Sequence, residues 1–127
     1  MKNILSTILF VIIASVFHSS NAQQASKSET ISERKFRKLM KKDNVAIIDV
    51  RTEKEYSDGH IPDAQNIDVQ KDDFAAQTQS LDKSKTYLIY CRSGKRYAKA
   101  LNILKEAGFQ KVYHLKEGFI EWDGAKE

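Results

Sequence analysis

The 127-residue chain holds a single cysteine, Cys91, and the residues after it run Arg92, Ser93, Gly94, Lys95, Arg96. A thiol followed at once by cations, a serine and a glycine is arranged for nucleophilic chemistry on an anion. An ordinary thiol, with a pKa of about 8.5, is barely ionised at neutral pH, whereas a helix N-terminus and neighbouring cations bring it to about 3.5–7.5. The thiolate is the attacking species, so the pattern predicts a nucleophile ionised at rest. A lone cysteine at a strand end is more often a small buried hydrophobe. Four cations within eight residues, Lys99 being the fourth, argue against burial in an apolar core.

The flanking elements must place this loop. Tyr87 to Tyr90 is an apolar and aromatic run suited to a buried strand, and Tyr97 to Ala107 carries Tyr97, Ala98, Leu101 and Leu104 at helical spacing. Gly108 then offers a left-handed stop. A strand that enters a helix through residues 91–96 leaves a run of backbone N–H groups without helical partners, and these can converge on an anion. Helix first turns favour acids, yet this one starts with Lys95, Arg96 and Lys99. Each misplaced cation costs about 0.3–1 kcal/mol against the helix dipole, a local violation expected at functional sites.

Val45 to Val50 is a β-branched run that predicts a buried parallel strand, in which Asp49 is out of place without a partner. Arg51 points the same way two residues on and can pair with it. Placed at the carboxyl edge of the sheet, where ligands bind in open α/β folds, both become supporting residues for the Cys91 loop. Thr52 to Glu55 reads as a capping box for a short helix that packs Tyr56 inward and ends at Gly59. Ala64 to Ile67 predicts a short strand, Phe74, Ala75, Thr78 and Leu81 a helix with Asp72 and Asp73 in its first turn, and Val112 to Leu115 a last strand. Thr30 or Ser32 caps a first helix bearing Phe36, Leu39 and Met40 on one face. Strands alternating with helices predict a single α/β domain over 32–127, its mostly parallel sheet covered by helices on both faces, with the strand entering Cys91 at the centre.

The run Cys-Arg-Ser-Gly-Lys-Arg, with Asp49-Val50-Arg51 and Gly59-His60-Ile61-Pro62 upstream and Gly118 and Trp122 downstream, resembles the rhodanese (thiosulfate sulfurtransferase) superfamily in its single-domain form. The resemblance covers roughly Ser32 to Asp123. It departs at Asp63, where the family commonly has glycine, and at Glu117, which takes the first of two usual glycines. It implies a small anionic sulfane-sulfur donor such as thiosulfate, a cyanide or thiol acceptor, and no metal or organic cofactor. A protein thiol partner and a monomeric state are further expectations.

Lys2, the 14-residue apolar stretch Ile4 to Phe17 and the small residues Ser20-Asn21-Ala22 read as a signal peptide over 1–22, too short for a membrane span of about 20 residues. Residues 23–31 read as a flexible lead-in. Export implies a periplasmic or secreted protein, with the membrane met only during transit, in an oxidising compartment where one cysteine has no internal partner. Losing Lys2 takes the net charge from +4 to +3, with bases spread among acids, so no nucleic-acid footprint is indicated. The histidines show no metal-ligand spacing. His60 reads as a hydrogen-bonding strut, and Trp122 as core.

Three readings of the thiol follow: sulfur transfer through a Cys91 persulfide with Arg92, Lys95 and Arg96 orienting the donor; a non-catalytic sulfur carrier or redox sensor; and cysteine phosphatase or arsenate chemistry. The last resembles Cys-x-x-x-x-x-Arg, and this loop is one residue tighter.

Overall fold

The computed structural model describes residues 27–127, so the expected signal peptide and the first part of the lead-in lie outside the described residues. Five strands and four helices alternate: β1 (Lys27–Ile31), α1 (Glu33–Met40), β2 (Val45–Asp49), α2 (Glu53–Asp58), β3 (Gln65–Asn66), α3 (Phe74–Gln79), β4 (Thr86–Tyr90), α4 (Tyr97–Glu106) and β5 (Lys111–Leu115). A 3₁₀ turn, Phe119–Glu121, follows. The strands form one sheet in the order β1-β5-β4-β2-β3, and every neighbouring pair is parallel. Helical crossovers between parallel neighbours make this order, and β4 is its middle strand.

Strand pleating sorts the core into two halves. Leu88 and Tyr90 face one side, where Phe36 of α1, Ile61 and Trp122 are buried, with Tyr56 of α2 packed against them. Tyr87, Ile89 and Cys91 face the other, against Phe74 of α3 and Ala100 and Leu104 of α4. Both faces are therefore covered by helices, as the alternation of elements requires.

Local signals explain most boundaries. Ser32 caps α1 by accepting the Lys35 N–H, and Thr52 and Glu55 close a reciprocal capping box on α2. Gly108 takes φ +91° after α4. Asp63 adopts φ +67°, a left-handed conformation that glycine takes most readily.

Two expectations need correction. The flexible lead-in over 23–31 gives way at Lys27 to β1, which pairs with β5 from Lys27↔Lys111 to Ile31↔Leu115. Only Ile31 of that strand is buried, so backbone bonding at the sheet's edge forms it and side-chain pattern does not. Asp72 and Asp73 precede α3: the helix begins at Phe74, and Asp73 stands at its cap position without a side-chain cap bond.

The segment after β5 closes over the end of β4. Phe119 N–H donates to Cys91 O at 2.8 Å and Ile120 N–H to Arg92 O at 2.9 Å. Gly118 makes this approach possible. Its φ is +72°, and a Cβ there would stand 2.4 Å from Arg92 O and 2.8 Å from Ser93 N, both backbone atoms that cannot swing aside. Gly118→Ala is expected to destabilise the fold by about 1–3 kcal/mol, the cost of overpacking, as read by a shift of the urea midpoint at constant m.

Candidate active site

Cys91 is the first residue beyond β4, at the carboxyl edge of the sheet. Its side chain is wholly buried, which corrects the expectation of a thiol held out of the core by its charged neighbours. Position 91 continues the inward face of Tyr87 and Ile89, and that alternation outweighs the cations, which extend to solvent from the loop. Arg92, Ser93 and Lys95 are exposed, while Gly94 and Arg96 are partly covered. Gly94 N–H points back at the sulfur, with N 3.1 Å from Cys91 Sγ. Among the described residues no other amide lies in bonding distance of Sγ, so the expected ring of donors is a single one at rest. Gly94 reaches this position at φ +81°, and a Cβ on it would fall 2.5 Å from Lys116 O. The helix α4 starts immediately after, with no acid in its first turn and no side-chain cap.

Asp49 and Arg51 are brought together beneath this loop. Arg51 Nε donates to Asp49 Oδ1 at 2.9 Å and Nη2 to Oδ2 at 2.6 Å, while the Arg51 backbone N–H also donates to Oδ1. Nη2 additionally reaches Gly59 O at 2.7 Å. Both side chains are almost fully buried. Burial opposes the charge on Arg51, but the bonds and field of Asp49 carry its pKa above the ordinary value. The guanidinium lies 4.1 Å from the centroid of the Phe119 ring, so the pair supports the residue whose N–H holds Cys91 O. Tyr90, 5.4 Å from the same guanidinium, accepts Ile61 N–H through its hydroxyl, and burial followed by the field of Asp49 pushes its pKa up.

Beside the loop lies an open cleft of about 290 Å³ bounded by Arg51, Glu55, Arg92, Phe119, Ile120 and Lys126, among others. Arg92 faces it and Ile120 is left exposed at its rim. Glu117 is exposed as well. His60 acts as a strut: Nδ1 donates to Tyr56 O at 2.9 Å and its ring stacks on Tyr56. Trp122 is core, its Nε1 donating to Ala125 O.

The sequence reading missed Glu55 as a loop partner. Arg96 was expected to orient a donor, and instead its guanidinium clasps Glu55, Nη1 to Oε1 at 2.7 Å and Nη2 to Oε2 at 2.8 Å. Glu55 belongs to α2, and the capping box already accounted for it, so no local signal distinguished the second role. The sequence reads His114 as a packing or solvent-facing residue of the last strand, and the structure takes the first of these, burying it on β5.

Arg96 holds the Glu55 carboxyl down to about 2, chiefly by hydrogen bonding, against some desolvation. A carboxylate depressed in the folded state contributes stability at neutral pH that disappears as pH falls from its unfolded value of about 4.3 toward 2. Glu55→Gln is expected to cost about 1–2 kcal/mol at pH 7, and to flatten acid unfolding between about pH 4 and 2, both measured by urea titration across pH.

The model of the rhodanese-like domain family matches residues 32–125. A sulfurtransferase of Allochromatium vinosum is 33% identical over 95 residues, covering 75% of this chain and 83% of that protein. The thiosulfate sulfurtransferase GlpE of Coxiella burnetii is 34% identical over 84 residues, covering 66% and 77%. The chain spans 27% of the length of the probable adenylyltransferase/sulfurtransferase MoeZ of Mycobacterium tuberculosis, at 34% identity over 105 residues. The crystal structure of a rhodanese-like domain protein from Staphylococcus aureus has a TM-score of 0.68 at 31% identity, covering 78% of this chain and 96% of that one. With this fold, this loop and a family match over most of its length, the chain belongs to the rhodanese-like domain family, among relatives named as sulfurtransferases.

Proposed function

We propose that the protein transfers sulfane sulfur from a thiosulfate-like anion to a thiophilic acceptor through a persulfide on Cys91. The observation that carries this reading is the Gly94 N–H directed at a buried Cys91 Sγ where β4 passes into α4. The Cys91 thiolate attacks the outer sulfur of the donor, a new S–S bond forms, and the donor's own S–S bond breaks with its electron pair leaving on sulfite. Cyanide or a thiolate then takes the outer sulfur and the Cys91 thiolate returns. No oxidant, metal or organic cofactor enters either step. The loop amide stabilises charge on sulfur, and Arg92, exposed on the cleft, draws in the anionic donor.

Phosphate chemistry is disfavoured because Arg96, the arginine that would cradle a tetrahedral oxyanion, is spent on Glu55. The carrier or redox-sensor reading is favoured by one observation, the complete burial of Cys91. A carrier would accumulate a stable one-sulfur adduct without turnover on any acceptor. In an exported protein, periplasmic or secreted, burial would also shield the unpaired thiol from oxidation.

Incubation with thiosulfate and cyanide is expected to release thiocyanate, and Cys91→Ser to lower that rate at least about a thousandfold, as loss of a nucleophile does. Persistent aryl-phosphate hydrolysis that disappears with the same substitution would overturn the reading. Arg92→Ala is expected to raise KM for thiosulfate about tenfold with kcat little changed, the mark of lost electrostatic recruitment, measured by steady-state kinetics at fixed ionic strength.

A further inference from the structure

His114 lies on the same sheet face as Cys91. It pairs in register with Ile89 of β4 on one side and Thr30 of β1 on the other, and Ile89 and Cys91, two residues apart, share that face. The ring is stacked on Tyr97, the first residue of α4, with centroids 3.7 Å apart and planes inclined by 15°. Its Cε1 comes within 3.6 Å of where a Gly94 Cβ would stand. One imidazole therefore supports the loop at its middle and at its end.

The same ring is only 2% exposed, and neither Nδ1 nor Nε2 has a hydrogen-bond partner. A neutral imidazole carries one N–H donor and one lone pair, and folded proteins rarely bury both unpaired without a use. A phenylalanine would stack on Tyr97 without that penalty. Burial also takes the pKa of His114 down to about 4, so the ring is neutral at neutral pH.

Space at the sulfur supplies the use. An outer sulfur on Cys91 would sit about 2.05 Å from Sγ. At rest Gly94 N is 3.1 Å from Sγ, so an outer sulfur on that side of Sγ would displace the Gly94 peptide. A Cβ on Gly94 would meet both Lys116 O, at 2.5 Å, and His114 Cε1, at 3.6 Å, so the His114 ring lies beside the residue that would move.

We propose that His114 is a positioning residue for the sulfur-loaded loop: a ring nitrogen that is unpaired at rest gains a polar partner when Gly94 moves aside for the outer sulfur. The inference rests on the sulfur-transfer reading and deepens it. An unmet bond in the empty state that is met in the loaded one favours loading by the difference between the two. The device costs stability at rest and returns it as persulfide.

Ring ¹⁵N shifts of His114 before and after thiosulfate loading, with the loaded fraction read from intact mass, test this. The expected result is a displaced ring nitrogen signal in the loaded protein. His114→Phe is expected to melt at or above the wild-type temperature while its loading equilibrium falls about tenfold, the worth of one hydrogen bond. His114→Gln, which restores a donor and an acceptor, is expected to recover most of the loading. His114→Leu, nearer in volume, serves if phenylalanine overfills the slot. Ring signals that stay in place on protein carrying a sulfur by mass overturn the proposal. So does a substitution series in which loading and melting temperature fall together, which would make His114 packing alone. A Cys91 that takes up no sulfur overturns the sulfur-transfer reading itself, and the proposal with it.

Discussion

Two hydrogen bonds, from the N–H groups of Phe119 and Ile120 to the carbonyls of Cys91 and Arg92, hold the loop on which everything else depends. Left to itself, a six-residue turn crowded with cations at a helix N-terminus is a poor structure, since dipole and neighbouring charges both oppose it. Tertiary contacts must impose its shape. The closing segment does so through backbone donors, which no substitution other than proline removes, and Gly118 lets it come close enough. Phe119 is itself backed by Arg51, and Arg51 by the buried Asp49. The carboxylate on β2 thus reaches the cysteine through three contacts, each short. This gives a physical reason for a buried ion pair beside a reactive residue: its geometric precision is transmitted to the loop, whatever its net contribution to stability.

The electrostatics of α4 resolve in an unexpected way. Its first turn contains no acid, and its cap residue is Arg96. The missing carboxylate comes from another helix, because Glu55 of α2 meets Arg96 with both oxygens. One anion thereby completes the capping box of α2 and compensates the misplaced cation on α4. The cations after Cys91 consequently divide into two groups. Arg96 is structural, a strut between helices, and Arg92 and Lys95 remain exposed toward anions in solution.

Much of this was legible in the chain itself. The β-branched run at Val45, the apolar run into Cys91 and the helical spacing after Tyr97 dictate a parallel sheet with β4 in the middle, because alternating strands and helices admit few arrangements. Capping at Thr52 marks one helix start, and the other is narrowed to Thr30 or Ser32, of which Ser32 is the cap. What escaped was of another kind. β1 is polar apart from the buried Ile31 and mostly exposed, so a strand made by ladder bonds at an edge resembles a linker. Glu55 and Arg96 stand 41 residues apart, and each already had a sufficient local explanation. The burial of Cys91 was misjudged because the charges beside it were taken to govern its side chain, whereas strand alternation continues through position 91 while its neighbours turn outward. His114 occupies an ordinary inward position on β5, and only the absence of partners for its ring distinguishes it.

A buried nucleophile suits sulfur better than it suits most chemistries. A persulfide is lost to water, to other thiols and to oxidants, and a site that closes over it slows all three. In the proposed transfer, closure has a consequence, since the donor would have to reach an atom with no exposed surface. For that transfer the loop has to open and then close on a larger occupant. Its parts differ in freedom to do so. Arg96 is tied to Glu55, and the carbonyls of Cys91 and Arg92 are tied to the closing segment, so both ends are fixed. Ser93, Gly94 and Lys95 lie between these ties, and the Gly94 N–H is bonded to the sulfur itself. Any opening the proposed transfer requires would fall on these three residues, since the bonds at both ends of the loop hold the rest to the fold.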